Sequence, residues 1–282
     1  MTNAKLLQKL ITTPYVPLLG PVHPDLIDEQ LLANVFRAGD ADELLPFDKD
    51  RRWYISKPAI ILSDHIYRSA TGMIVPVLSK GMERVKLFCY GEAVQDDFNS
   101  CVEGVRRLHP MCQIAIVSFA PVATPVDNAS ILFLKRLSEI DIQSGNATVE
   151  QISAKEAGSL ASLADDAENS GFGFLARQYS ERELGPTFVI RDHGLVVAAV
   201  GPIDTMPDSA GQLLCLPPYV GVASNYRGRG LGSLVWRAAM SYAALKGATY
   251  LLLQSEAGQA SEYFYESQGL VGLGAVIYRP II

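Results

Sequence analysis

Three glycines, Gly228, Gly230 and Gly232, alternate with Arg227, Arg229 and Leu231 and lead straight into an apolar helical pattern. Glycine lets a backbone turn tightly and approach a ligand with no Cβ in the way, so successive amide hydrogens can converge on one point. The first-turn amides of a following helix have no intrahelical acceptors and aim at the same place, where the helix dipole favours an anion. The chemistry this spacing suits is phosphate binding. Arg227 and Arg229 add positive charge at the mouth, facing either solvent or a phosphate outside the loop. Glycine-rich helix entries also occur in ordinary turns, so the loop alone leaves a purely structural reading open.

Positioning such a loop takes a strand before it and a helix after it. Leu213 to Val222 is apolar enough for the strand, but Pro217 and Pro218 cannot supply two successive ladder donors, so the strand begins after them or breaks there. Behind the loop, Leu231, Leu234, Val235, Ala238, Tyr242 and Leu245 recur at helical spacing, and Lys246-Gly247 supplies a stop. Upstream, 154–169 reads as helical, 187–191 as a strand and 194–200 as its hairpin partner through Asp192-His193-Gly194. Downstream, 250–254 reads as a buried strand, 259–267 as a short helix and 270–278 as the last strand, with Gly269 at the turn. This order calls for a mixed sheet with helices packed on it, an α+β (mixed α/β) class. It does not match a dinucleotide-binding βαβ half, whose glycines follow the first strand and whose acidic residue is missing at the required offset.

The whole chain sets the remaining bounds. Its 282 residues, 49% hydrophobic and 19% charged, with a mean hydropathy of +0.15, describe a well-packed globular protein. A net charge of −6 and the lack of a Lys or Arg run make nucleic acid a poor partner. Cys89, Cys101, Cys112 and Cys215 have no CxxC spacing, and with four histidines no metal-ligand cluster is expected. No stretch approaches the roughly 20 apolar residues that span a bilayer, and Met1 to Gly20 lacks a signal-peptide core. A soluble, reduced, cytoplasmic protein is the expectation. Polar and turn-forming residues from Asp141 to Ala147 mark the domain boundary, giving 1–145 and 146–282.

The segment Val222-Ala223-Ser224-Asn225-Tyr226-Arg227-Gly228-Arg229-Gly230-Leu231-Gly232 resembles the acetyl-CoA signature of the GCN5-related N-acetyltransferase (GNAT) superfamily, with Arg227, Gly230 and Gly232 filling its defining positions. Phe264-Tyr265-Glu266-Ser267-Gln268-Gly269-Leu270 resembles a second recurrent segment of that family, one helix and one strand downstream. The two together extend the resemblance over 147–282. It implies a GNAT-like fold, acetyl-CoA or another acyl-CoA as co-substrate and no metal. It also implies pyrophosphate held by amides of Arg227, Gly228, Arg229, Gly230, Leu231 and Gly232. Around Tyr219, Val220, Gly221 and Val222 the preceding strand would splay from its neighbour to admit pantetheine. Where the family often has Asn seven residues before the tyrosine and Ala four before it, this chain has Gly258 and Ser261; Ser261 is counted with the cofactor-binding positions.

Direct acyl transfer needs an uncharged amine, a stabilised oxyanion and a proton for the departing thiolate. The resemblance makes Tyr265 the general-acid candidate, against a reading as half-buried packing. Glu256, just past the 250–254 strand, is the general-base candidate, though a solvated loop carboxylate explains it equally. Asp204 and Asp208 either recognise a cationic acceptor or are exposed loop charges. His193 is accounted for by its turn, and Cys215 by burial as a small apolar residue.

In the first half, 72–78, 84–89 and 113–119 read as strands and 96–108 as a helix, repeating part of the downstream order. Asp127-Asn128-Ala129 with Ile131, Phe133 and Leu134 distantly resembles the final helix of the same superfamily. A degenerate second copy, hence a tandem fold, is one reading; an unrelated cap, with Arg51-Arg52-Trp53-Tyr54 at an interface or an acceptor cleft, is the other. The functional expectation is N-acyl transfer to an amine on a small molecule, peptide or protein. A catalytically inactive acyl-CoA-binding or regulatory protein with a GNAT fold is the alternative. The oligomeric state is left open.

Overall fold

The structure, a computed structural model, describes residues 59–68, 72–79, 83–91, 95–120, 128–137, 148–164, 171–181, 184–207 and 213–281. Met1 to Gly20, the Arg51 to Tyr54 cluster, the Asp141 to Ala147 boundary and Asp208 lie outside them.

In chain order the strands are β1 (Ala59–Ile61), β2 (Tyr67–Arg68), β3 (Gly72–Ser79), β4 (Arg84–Gly91), β5 (Gln113–Ala120), β6 (Asn128–Arg136), β7 (Glu150–Ile152), β8 (Thr187–Asp192), β9 (Leu195–Gly201), β10 (Thr205–Pro207), β11 (Leu213–Cys215), β12 (Tyr219–Val222), β13 (Tyr250–Glu256) and β14 (Val271–Ile281). The α-helices are α1 (Gln95–Leu108), α2 (Ala161–Ala164), α3 (Gly171–Glu181), α4 (Leu231–Leu245) and α5 (Ala260–Ser267). The chain forms two compact units: one holds the described residues of Met1–Leu134 together with Gln254–Ile282, the other those of Lys135–Pro207 and Gln212–Leu253.

In the first unit, β3 and β4 form an antiparallel pair, α1 crosses over, and β5 returns parallel to β4 from Arg84↔Gln113 to Phe88↔Val117. Cys101, Val102 and Val105 repeat at helical spacing on α1, which buries them against Ile74, Val85, Leu87 and Ile114. The last strand of the chain, β14, lies between β5 and β6 and is antiparallel to both. Its Ala275, Val276 and Ile277 are buried accordingly. Residues 254–282 therefore fold with the first half of the chain, a spatial partition different from the linear one at 145/146. The helix suggested for Asn128 to Leu134 is corrected here, because these residues form β6. Its β-branched and aromatic residues gain a full antiparallel partner in β14, and tertiary pairing overrides a weak helical resemblance.

The second unit has an antiparallel sheet ordered β12-β9-β8-β7. β9 is apolar along nearly its whole length because both its faces are covered. One cluster joins Val189, Val196 and Ala199 to Ile152, Leu160, Phe172 and Leu175; α4 packs on β8 and β9 as well, with Phe188 against Tyr242 at 5.4 Å between ring centroids. The 154–169 helix resolves into a 3-10 turn, Ala154–Leu160, followed by α2. A helix the sequence reading passed over, α3, carries Phe172, Leu175 and Tyr179 on one buried stripe; its glycine-containing start, Gly171 to Gly173, obscures it. β11 runs parallel to β13 (Leu214↔Tyr250, Cys215↔Leu251) and antiparallel to β10. Among the described residues no helix is long and apolar enough to cross a membrane.

α4 ends where Lys246-Gly247 indicates. Gly247 has φ +89°, and Ala248 N–H closes the helix on Ala243 O at 3.0 Å. Its buried face differs from the stripe read above. Val235, Trp236, Ala239, Met240 and Ala243 are buried, whereas Leu245 is 65% exposed. The helix carries two adjacent apolar rows, and the row with the larger surface, Trp236 and Met240, is the more fully buried.

Candidate functional site

The break at Pro217-Pro218 separates two strands that go to different sheets. Before it, β11 pairs with β13; after it, β12 pairs with β9, from Tyr219↔Gly201 to Val222↔Ala198. The pairing with the parallel neighbour ends at Cys215, and β12 is an edge strand of its sheet among the described residues. Tyr219 and Val220 are half-buried, Gly221 is buried and Val222 is half-buried. The Tyr219 ring packs on Phe172 at 6.2 Å, and a Cβ on Gly171 would lie 2.7 Å from it.

After β12, Ala223 N–H bonds Val197 O at 2.9 Å and the chain makes a 3-10 turn, Ser224–Tyr226. Gly228 (φ +73°) and Gly230 (φ +77°) are both left-handed, the conformation for which glycine is the default residue. Gly230 is the N-cap of α4, and Leu234 N–H makes the return bond to Gly230 O at 3.2 Å. The amides of Leu231 and Gly232 therefore precede the first helical hydrogen bond and aim out of the helix start. Arg227 through Gly230 are exposed.

The arginine side chains brace the loop. Arg227 Nε donates to Val222 O at 3.1 Å. Arg229 Nη2 donates to Asn225 O at 2.8 Å, with its guanidinium 4.9 Å from the centroid of the Tyr226 ring. Tyr226 in turn donates its hydroxyl to Asp192 Oδ2 at 2.6 Å, which raises the pKa of that hydroxyl. The sequence reading passed over Tyr226 and treated Asp192 only as a turn residue. The available signal was an aromatic hydroxyl directly before Arg227.

Glu256, Ser261 and Tyr265 belong to the first unit, the glycine loop to the second. Tyr265 is buried on α5, its ring 6.0 Å from that of Phe133 and 5.5 Å from that of Phe264, and burial pushes its hydroxyl up to about 12. Glu256 is exposed at the end of β13. Ser261 is exposed and accepts a hydrogen bond from Ser255 Oγ at 2.7 Å. Gly258, where the resemblance leads one to expect Asn, has φ +77° and donates its amide to Glu262 Oε2 at 2.5 Å.

His193, Cys215 and Asp204 lie elsewhere in the second unit. His193 (φ 47°) occupies the β8–β9 turn with its side chain 93% exposed. Cys215 is fully buried, and desolvation, reinforced by the Asp204 charge, pushes its thiol up to about 12, the opposite of an activated nucleophile. Asp204 is half-buried, and its backbone oxygen takes the Leu216 amide at 2.9 Å. Among the described residues no group of His, Cys, Asp and Glu is arranged to hold a metal ion.

A strand that leaves its parallel partner, a left-handed glycine loop and a helix start directly behind it define a GNAT-like mixed α/β fold. The Acetyltransferase (GNAT) family model matches residues 160–270, which include the β8–β9 hairpin, the loop and α5. A GCN5-related N-acetyltransferase from Sphaerobacter thermophilus aligns over 75% of this chain and 80% of its own, with TM-score 0.51 and 13% identity. A GNAT-family acetyltransferase from Colwellia psychrerythraea aligns over 91% and 98%, with TM-score 0.53 and 14% identity. A tandem GNAT protein from the clavulanic acid biosynthesis pathway aligns over 99% and 94%, with TM-score 0.54 and 12% identity. At these identities the likeness is one of fold. No curated protein matches the chain.

Proposed function

We propose that this protein is an acyl-CoA-dependent N-acyltransferase that moves an acetyl or other short acyl group to an amine by direct attack. The observation that carries this reading is the loop itself. Gly228 and Gly230 are left-handed and present the start of α4 immediately after an edge strand that has left its parallel neighbour. That start is suited to a pyrophosphate, and β12 (Tyr219, Val220, Gly221, Val222), at the edge of its sheet among the described residues, to the amides of an extended pantetheine.

In the reaction proposed, the lone pair of the neutral amine forms a bond to the thioester carbonyl carbon. The carbonyl pair moves onto oxygen, and the oxyanion then collapses as the C–S bond breaks. Tyr265 is proposed to give its hydroxyl proton to the departing thiolate. Glu256 is proposed to take the proton lost by the amine, directly or through water.

One observation favours a second reading, a protein that binds acyl-CoA without turnover. Burial raises the Tyr265 hydroxyl above its ordinary value, which works against its giving a proton to the departing thiolate. Incubating the purified protein with mixed acyl-CoAs and amines, while following free thiol and acylated product mass, separates the two. Acylated product supports the enzyme, CoA binding without acceptor-dependent turnover supports the binding protein, and no CoA binding defeats both.

For the first half we propose a degenerate GNAT-like copy without its own CoA site. β4, α1 and β5 repeat the parallel crossover of β11, α4 and β13, but no glycine loop enters α1, and the β4–β5 pairing runs on to Phe88↔Val117. Alignment with a tandem GNAT protein over 99% of the chain agrees with this reading.

A further inference from the structure

We infer that the hydrogen bond between Tyr226 and Asp192 is a tether that sets the phosphate loop in its ligand-binding conformation, making both positioning residues for acyl-CoA. The inference rests on the CoA-binding reading and extends it to Tyr226, directly ahead of the Arg227 to Gly232 run, and to Asp192, 34 residues away in the chain.

Ahead of the glycines, the bonds near the origin of the loop include Ala223 N–H to Val197 O and Arg227 Nε to Val222 O. Val197 lies on β9 and Val222 on β12, so both bonds act at the root of the 3-10 turn, which is itself closed by Tyr226 N–H to Ala223 O at 2.8 Å. Tyr226 reaches further. Its hydroxyl lies 2.6 Å from Asp192 Oδ2, within the range of a charge-assisted O–H···O⁻ bond, and Asp192 ends β8 two strands away from β12 in the sheet. The other end of the same side chain carries Arg229, whose guanidinium sits over the ring while its Nη2 holds Asn225 O. One residue thus links the rigid hairpin to the turn and to the cation at the mouth of the loop. The left-handed Gly228 and Gly230, the most deformable part of the loop, follow directly.

The electrostatics make the arrangement informative. A carboxylate close to an anion-binding loop opposes the ligand, and Asp192 also has His193 Nε2 3.8 Å from its Oδ1. Replacing Asp192 alone therefore mixes loss of the tether with relief of repulsion. The coupling between the two positions isolates the tether, because the through-space effect of the charge cancels in a double-mutant cycle.

The test uses the full chain as parent, Tyr226→Phe, Asp192→Ala, which removes the acceptor, and the double variant. CoA affinity is read by calorimetry and amide hydrogen exchange over 227–233 in the ligand-free protein. Tyr226→Phe should weaken CoA binding roughly 3- to 10-fold and speed exchange in that segment, and the double variant should show no further loss from adding the phenylalanine. Wherever turnover is measured, KM for acyl-CoA should rise by the same factor with kcat unchanged, which general destabilisation would not produce. A folded Tyr226→Phe protein with parental CoA affinity overturns the inference, as does full additivity in the cycle. Should Tyr226→Phe fail to fold, Asp192→Ala carries the exchange measurement alone, where parental rates overturn the tether. A parent without CoA affinity defeats the functional reading instead, and the exchange data then decide the tether by themselves.

Discussion

Replacing Gly230 tests whether the loop binds through its backbone conformation. A Cβ built on Gly230 meets nothing within 4 Å, so the residue is not glycine for lack of room in the protein. Its φ of +77° is the constraint. For an L-residue with a side chain the left-handed region costs about 1–2 kcal/mol, more when β-branched, and less for Asn, which visits it readily. Gly230→Ala either holds the conformation and loses that much stability, or lets φ revert and turns the Leu231 and Gly232 amides away. A shift of that size lowers the population of the competent loop by a factor of about 5–30, and the apparent Kd for CoA rises by the same factor.

The order of affinities should be Gly, Asn, Ala, Val, which a purely steric obstruction of the ligand would not produce, since Asn is bulkier than Ala. Gly247→Ala is the matched control: it is left-handed too (φ +89°), but it closes the other end of α4, so it should lower the urea midpoint and leave CoA affinity alone. Calorimetry and urea unfolding on the four variants give both numbers. Equal CoA affinities for Gly230→Ala and Gly247→Ala, both folded, would refute the reasoning.

Tyr265→Phe keeps the packing against Phe133 and Phe264 and removes the hydroxyl. If the hydroxyl is the acid, the single-turnover chemical rate should fall roughly 10- to 10,000-fold at nearly constant CoA affinity, and an unchanged rate would reject that role. Calorimetry on the full chain should give one CoA per chain, and a second site of comparable affinity would defeat the degenerate-copy reading. Deleting 271–282 takes β14 from between β5 and β6, with the burial of Val276 and Ile277 worth about 1.5–3 kcal/mol each besides two backbone ladders. The truncated chain should lose its protease resistance in residues 72–136, and parental resistance there would contradict the exchanged strand. Burial holds the Tyr179 hydroxyl and the Cys215 thiol at about 12, so the folded state keeps protons that the unfolded chain releases from pH 9 to 10 upward. Stability is therefore undiminished below about pH 9 and declines as pH rises towards 12, which urea midpoints at about pH 8 and about pH 10.5 would show.

What the sequence determined by itself is local. Gly228, Gly230 and the apolar run behind them specify a left-handed turn into a helix because the relevant energies, backbone sterics and helix-end amides, act within a few residues. Lys246-Gly247 ends α4 for the same reason, and Pro217-Pro218 breaks the strand because proline lacks the donor wherever it sits. Tertiary structure decided whatever depends on a distant partner. Asn128 to Arg136 becomes a strand because β14, more than a hundred residues later, pairs with it. β14 itself joins the first unit rather than the second, and no periodicity encodes which sheet a strand enters. The choice between the two apolar rows of α4 rests with the surface it packs on, so Leu245 ends up exposed while Trp236 is buried. Tyr226 and Asp192 are 34 residues apart in the chain, and only the return of β9 to β12 brings one hydroxyl to one carboxylate at the root of the glycine loop.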